Sequence, residues 1–176
     1  MAGVPDFPDQ LDATRHRDDP SARGVWVRRA ILTVLLVFVL IGAFGVFGQP
    51  AQVSRAEGPA ATLEVSAPTA LRGGLLFMGL FDVVARDTVK EPTLVLGPGW
   101  LDDITVNTIE PSPLEENSRN RRLELTFPKV EKGDHLRIWM EFQVNPTAIG
   151  SGNQDVTLRD GSTPLMHVRR TVRIYP

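Results

Sequence analysis

The sequence predicts an all-β protein, an antiparallel β-sandwich of seven or eight strands, preceded by a single transmembrane helix. Three observations carry that prediction. The stretch from Ala30 to Phe47 is apolar throughout except for Thr33. After residue 60 the period of the apolar residues changes to two. Turn signals then recur every ten residues or so, the spacing of a sandwich built from short strands.

Taken in chain order, residues 1–24 carry three prolines and mixed charge without apolar periodicity, and are expected as a disordered cytoplasmic tail. Residues 25–48 are expected as the transmembrane helix. The eighteen residues of its apolar core make roughly 27 Å of helix at about 1.5 Å each, close to the ~30 Å hydrocarbon thickness. Thirteen of the eighteen are Leu, Ile, Val or Phe, with no polar stripe of the kind a soluble amphipathic helix shows. Arg15, Arg17, Arg23, Arg28 and Arg29 precede the run, whereas only Arg55 and Arg72 follow within the next twenty-five residues. This asymmetry predicts a single-pass protein of the plasma (inner) membrane, with the N-terminus cytoplasmic and the C-terminal domain extracytoplasmic. A cleaved export signal is the competing reading, with sites after Gly48 or Ala56; the long leader and strong apolar run favour a retained signal anchor.

Residues 49–60 are expected as a linker rich in Gly, Pro and Ala, and 61–176 as the extracytoplasmic sandwich. Leu63, Val65 and Ala67 alternate with polar residues, and "GLLFMGLFDVVA" is a longer, more continuously apolar strand with Leu75, Phe77, Phe81 and Val83 on one face. "TLVLGPGW", "DITVNTIEP" and "RRLELTFP" follow, the last two separated by the polar loop "SPLEENSRN". The clearest segment is "HLRIWMEFQVNP", in which Leu136, Ile138, Met140, Phe142 and Val144 alternate with His135, Arg137, Trp139, Glu141 and Gln143. Strict alternation places one face in a core and the other in water. "DVTLRDG" and "PLMHVRRTVRIYP" complete the set, and "EKGD", "GSGN" and "RDGS" supply turns.

Composition narrows the function classes. The chain has 19 basic and 21 acidic side chains, a net charge of −2, so it has no general field for nucleic acid. It has no cysteine, which removes disulfides, thiolate metal sites and thiol nucleophiles. Its serines lack a G-x-S-x-G elbow or an S-x-x-K pair, and "GPGW" leads into a strand and not into a phosphate-binding helix. The paired Glu115 and Glu116 lie in a polar loop. His16, His135 and His167 have no ligand spacing, and Asp102, Asp103, Asp155 and Asp160 lack the order of a calcium loop. No enzyme, cofactor or metal is expected.

What remains is recognition. If the Trp139 strand pairs with the last strand, Arg137, Trp139, Glu141, Arg169 and Arg173 share an outward sheet face, a composition found at interface hot spots. The alternative packs Trp139 beneath the Pro-rich "EPSPLEEN" segment. Gly42, Ala43 and Gly45 form a small-residue patch for packing the membrane helix against a neighbour. The expected partners are thus the bilayer and a protein in or at the membrane, the chain serving as accessory subunit of a membrane complex. A free-standing binder of a small molecule, cell-wall polymer or metal is the second reading.

The stretch "KVEKGDHLRIWMEFQVNPT", residues 129–147, resembles immunoglobulin-like β-sandwich modules of uncharacterised bacterial surface proteins, where a Gly-centred turn leads into a long alternating strand with an Asn-Pro exit. The antibody-type Cys…Trp…Cys core is absent. The resemblance implies adhesion or assembly and assigns no site residue.

Overall fold

The computed structural model describes residues 22–43 and 50–176, in two units that divide after Gly48. The first contains α1 (Ala22–Ala43). It is the one helix among the described residues long and apolar enough to cross a membrane, and its side chains from Arg23 onward are not buried against protein. At about 1.5 Å per residue its length is roughly 33 Å. Near its start the Arg29 guanidinium stands over the Trp26 ring, 5.7 Å from the centroid. The predicted disorder of residues 1–21 and the expected helical residues 44–48 lie outside the described residues. Residues 22–24, assigned to the tail from sequence, begin the helix.

The second unit holds thirteen strands. One five-stranded sheet has the order β1 (Gln52–Glu57), β2 (Ala61–Ala67), β4 (Leu76–Ala85), β9 (His135–Val144), β6 (Ile104–Glu110). The other has the order β12 (Thr163–Val168), β11 (Val156–Asp160), β5 (Pro92–Leu96), β8 (Arg122–Thr126), β7 (Glu115–Arg119). A small third sheet sets β13 (Thr171–Tyr175) between β10 (Gly150–Asn153) and β3 (Ala70–Arg72). Every pair is antiparallel except β3 with β13. This is an all-β sandwich preceded by an apolar helix.

The strand count exceeds the expected seven or eight because three segments read as linker, loop and turn are edge strands, because β3 adds a short strand, and because "PLMHVRRTVRIYP" divides into β12 and β13. β1 occupies the predicted linker, β7 the polar loop and β10 the "GSGN" turn. Each pairs on one side only, and β7 is exposed at all five positions. An edge strand with no buried face shows no alternation, so its pairing is invisible to a hydropathy pattern. The sandwich therefore starts at Gln52 and not at residue 61.

The alternating residues behave as their period dictates. Leu63, Val65, Phe81, Val83, Ile138, Met140, Phe142 and Val144 fill the core from the first large sheet, and Leu94, Leu96, Leu125 and Leu158 from the second. Trp100 sits at the centre in a turn of 3-10 helix, Pro98–Trp100, its ring 5.3 Å from Phe81 and 5.1 Å from Phe142. It is fully buried and donates Nε1 to the Gln154 carbonyl at 2.9 Å. Gly99 permits this, because a Cβ there would lie 2.6 Å from the Asn153 carbonyl oxygen.

The strand directions define two ends. The tethered end is where the chain arrives at Gln52. It includes the start of β4, the exit of β9 at Val144 and the close of β13, since Gly74 N–H donates to Val144 O at 3.1 Å and Gly73 N–H to Tyr175 O at 3.2 Å. The far end carries the Glu131–Asp134 turn, tied to Ala85 by two backbone hydrogen bonds; Gly133 adopts φ 90° there.

Candidate functional site

β4 and β9 pair over nine residues in the middle of the first sheet, and their outward side chains form its solvent face. One row crosses all five strands: Val53, Ser66, Leu80, Trp139, Glu110. Toward the tethered end the next rows pair Met78 with Glu141 and Leu76 with Gln143. Leu76, Met78 and Trp139 are 55%, 54% and 44% exposed, and Leu80 is half-buried among them. These apolar side chains are contiguous in the register and have no protein covering them among the described residues.

Toward the far end the same face turns ionic. Arg55, Glu64, Asp82 and Arg137 form the next row. Asp82 accepts from Arg137 Nε at 3.2 Å, and His135 Nδ1 stands 3.5 Å from its other oxygen without hydrogen-bond geometry, leaving Asp82 Oδ1 unsatisfied. Glu141 accepts from Asn107 Nδ2 at 3.2 Å. The patch is thus an apolar field bounded by charge, the anatomy of a recognition surface.

Of the residues nominated from sequence, Arg137, Trp139 and Glu141 share this face. Arg169 and Arg173 do not. β9 lies between β4 and β6, whereas β13 lies between β10 and β3, so the strand pairing that would have united them is not made. Arg173 is exposed on β13, and Arg169 is exposed in the link between β12 and β13. Trp139 is not packed under the "EPSPLEEN" segment either: Glu110 pairs beside it, the rest of the segment crosses to β7 on the other sheet, and Trp139 stays open to solvent. Gly42 and Ala43 close α1; Gly45 lies outside the described residues.

Two features escaped the sequence reading. β4 is apolar on both faces, which signals either a strand covered twice or an apolar face left open, and here Leu76, Met78 and Leu80 are left open. The other is Arg170, only 5% exposed. It has the inward parity of Val168 and Val172, so its burial was legible. Its Nη1 donates to the carbonyls of Gln52 and Val65, both at 2.9 Å, and to Ser54 Oγ at 3.3 Å, while Nη2 donates to Ala67 O at 2.6 Å. The guanidinium also lies 6.0 Å from the Trp100 ring centroid. No carboxylate pairs with it among the described residues, and burial pulls its pKa below the ordinary arginine value. Carbonyl dipoles and the ring face stand in for a counter-ion, and the result clamps β1 and β2 to the start of β13.

The remaining polar residues are committed locally. Asp155 meets His167 Nε2 at 3.3 Å and accepts from Arg170 N–H at 3.0 Å; His167 Nδ1 lies 2.9 Å from Thr157 Oγ1. Asp102 pairs with Arg121, and Asp160 accepts from Glu91 N–H at 2.7 Å. His135 and His167 stand on different large sheets. Among the described residues no three His, Asp or Glu side chains gather as a metal site.

No protein-family model matches the chain, and no curated protein matches it. Among solved structures it is similar to a non-cellulosomal cohesin from the hyperthermophilic archaeon Archaeoglobus fulgidus, at 15% identity and a TM-score of 0.41, over 62% of this chain and 88% of that one. It is also similar to a FixG-related protein from Vibrio parahaemolyticus, at 16% identity and a TM-score of 0.36, over 58% of this chain and 82% of that one.

Proposed function

We propose that the protein is a non-catalytic, single-pass envelope protein of a bacterial plasma membrane, held by α1 with its N-terminus in the cytoplasm, whose outward sandwich binds a membrane protein as accessory subunit. One observation carries the reading: Leu76, Met78, Leu80 and Trp139 form an uncovered apolar field on the first sheet, edged by Asp82 and Arg137. A soluble domain leaves such a contiguous field open where a partner covers it. A flat apolar centre with Trp and a charged rim suits another folded surface, and the tether restricts the search for it to the plane of the membrane. Gly42 and Ala43 add a close-packing point on the helix. The retained anchor fits the fold as well. Cleavage after Ala56 would strip the edge strand that Arg170 binds, whereas cleavage after Gly48 would spare it.

The test is purification of the tagged full-length protein from native membranes in mild detergent, with mass spectrometry of the protein and its companions. A full-length mass and a stoichiometric membrane companion are expected, with the companion lost in Trp139→Ala and Met78→Glu. A mass lacking residues 1–48 would overturn the anchor. A companion that survives both substitutions would remove the sheet face from the contact.

A further inference from the structure

We propose that the tethered end of the sandwich docks on the anionic phospholipid headgroups of the bilayer that holds α1, an inference that rests on the reading of α1 as a retained anchor. The first observation is how the cations divide. Arg55, Arg86, Arg121, Lys129, Lys132, Arg137 and Arg159 are each ion-paired. Among the described residues of the sandwich, Arg72, Arg119, Arg122, Arg169 and Arg173 are exposed and have no carboxylate partner. All five stand toward the tethered end. Arg72 is level with Tyr175 and Arg173 with Ala70 in the β3–β13 pair. Arg119 and Arg122 face each other in the β7–β8 hairpin, whose tip is tied through Arg121 to Asp102, just before β6. Arg169 adjoins the residue that binds Gln52. Lys90 is the one unpaired cation toward the far end.

The second observation is apolar. Ile149 and Tyr175 flank the Gly150–Ile174 pair at this end, 69% and 45% exposed. Tyrosine and aliphatic side chains among arginines are the composition of a headgroup-level surface, where long cations reach phosphates while apolar groups sink below them. The third is reach. Eight residues separate Ala43 from Gln52, at most about 32 Å of extended chain, and the first five, "FGVFG", prolong the apolar run. The end that carries free arginines is therefore the end held close to the lipid.

Net charge does not oppose this. From Glu57 to Pro176 the chain has 13 basic and 16 acidic side chains, so a uniform field would repel an anionic surface. A Debye length of about 8 Å confines each charge to its neighbourhood, however, and the local balance at the tethered end is positive. Of the acids there, Asp102 and Asp155 are occupied by Arg121 and His167, and Glu141 is half-buried and bonded to Asn107, which leaves Asp103 exposed.

The absence of cysteine makes the test direct. Ile149→Cys and, as far-end control, Lys132→Cys are introduced singly into the full chain, labelled with an environment-sensitive nitrobenzoxadiazole dye and reconstituted in nanodiscs of phosphatidylcholine with or without phosphatidylglycerol. With phosphatidylglycerol, the label at 149 is expected to shift to the blue and be quenched by doxyl lipid about threefold or more above the label at 132. The difference should shrink in phosphatidylcholine alone, and in the Arg72→Gln/Arg173→Gln variant. Equal, water-like signals at both positions would overturn the docking. Burial of the 149 label in native membranes but not in purified discs would overturn it too, in favour of a protein occupant. Release of the unlabelled chain by alkaline carbonate would overturn the anchor, and the docking with it; retention with a water-like 149 label sinks the docking alone.

Discussion

The two ends of the sandwich treat charge in opposite ways. At the far end, Glu57 takes both Arg55 at 3.1 Å and Arg86 at 2.5 Å, Lys132 meets Asp87 at 3.4 Å, and Lys129 meets Glu131 at 2.6 Å. Among the described residues of that end one large hydrophobic side chain, Leu114, is mostly exposed. The tethered end has open arginines and open apolar side chains, and its one deeply buried cation, Arg170, is held by carbonyls. The lesson concerns what each end faces. Paired charges are at home in water and gain little from a further partner. Unpaired cations beside apolar groups are poorly served by water alone and gain from a surface that offers both phosphate and hydrocarbon, or a folded partner.

The change that should break this contrast most strongly is Arg170→Ala. It removes four charge-assisted hydrogen bonds and leaves the carbonyls of Gln52, Val65 and Ala67 in need of partners, for an expected loss of about 3 kcal/mol. Denaturant unfolding measures the total, and hydrogen exchange should show protection lost first along β1 and β2 near Gln52 while the Glu131–Asp134 turn keeps its own. Uniform loss at both ends would mean that the clamp is not local.

Trp139→Ala comes next, and it sharpens the contrast between surface and core. With its side chain largely outside the core, the substitution should cost under about 1 kcal/mol of stability, yet weaken partner binding tenfold or more, about 1.4 kcal/mol. Trp100→Ala is the control, with an expected loss of about 3 to 5 kcal/mol from the centre of the core. Unfolding of the Trp139 variant would show that the outer face holds the fold together.

At the far end, Arg86→Ala should leave the melting temperature unchanged within error, because both partners of the Glu57 pair are half exposed.

The smallest effect is in acid. The hydrogen bond from Arg86, reinforced by the nearby charges of Arg55 and Arg86, lowers the Glu57 pKa below 4.5, and the hydrogen bond from Lys129, then that from Thr88, lowers that of Glu131. Because these folded-state values are depressed, their contribution is present above the ordinary glutamate pKa and is lost as pH falls through the folded values. Carboxyl NMR titration should find both residues titrating below 4.5; ordinary values would dissolve the picture of a neutralised far end.

Most of the fold was legible because the core strands alternate: Ile138, Met140, Phe142 and Val144 went inward as their period required. The edge strands were not, since β1, β7 and β10 bury little and take their place from a partner's backbone. The site was half legible. Parity placed Arg137, Trp139 and Glu141 on one face, but strand order decided that Leu76, Met78 and Leu80 would stand beside them in place of Arg169 and Arg173. Local pattern gives the face of a strand, and long-range pairing gives its neighbours.

The clamp on β1 has a mechanical consequence. β1 is the first strand of the sandwich, so if α1 is the proposed anchor, any tension between the membrane and a bound partner would enter the domain at Gln52. Directed along the strand, that force would load the six β1–β2 pairs from Gln52–Ala67 to Glu57–Thr62 together, in shear, instead of peeling them one by one. Arg170 grips Gln52 and Ser54 at the point where the pull arrives. An edge strand that would otherwise be the first to fray is fastened where a membrane-anchored protein would be tugged.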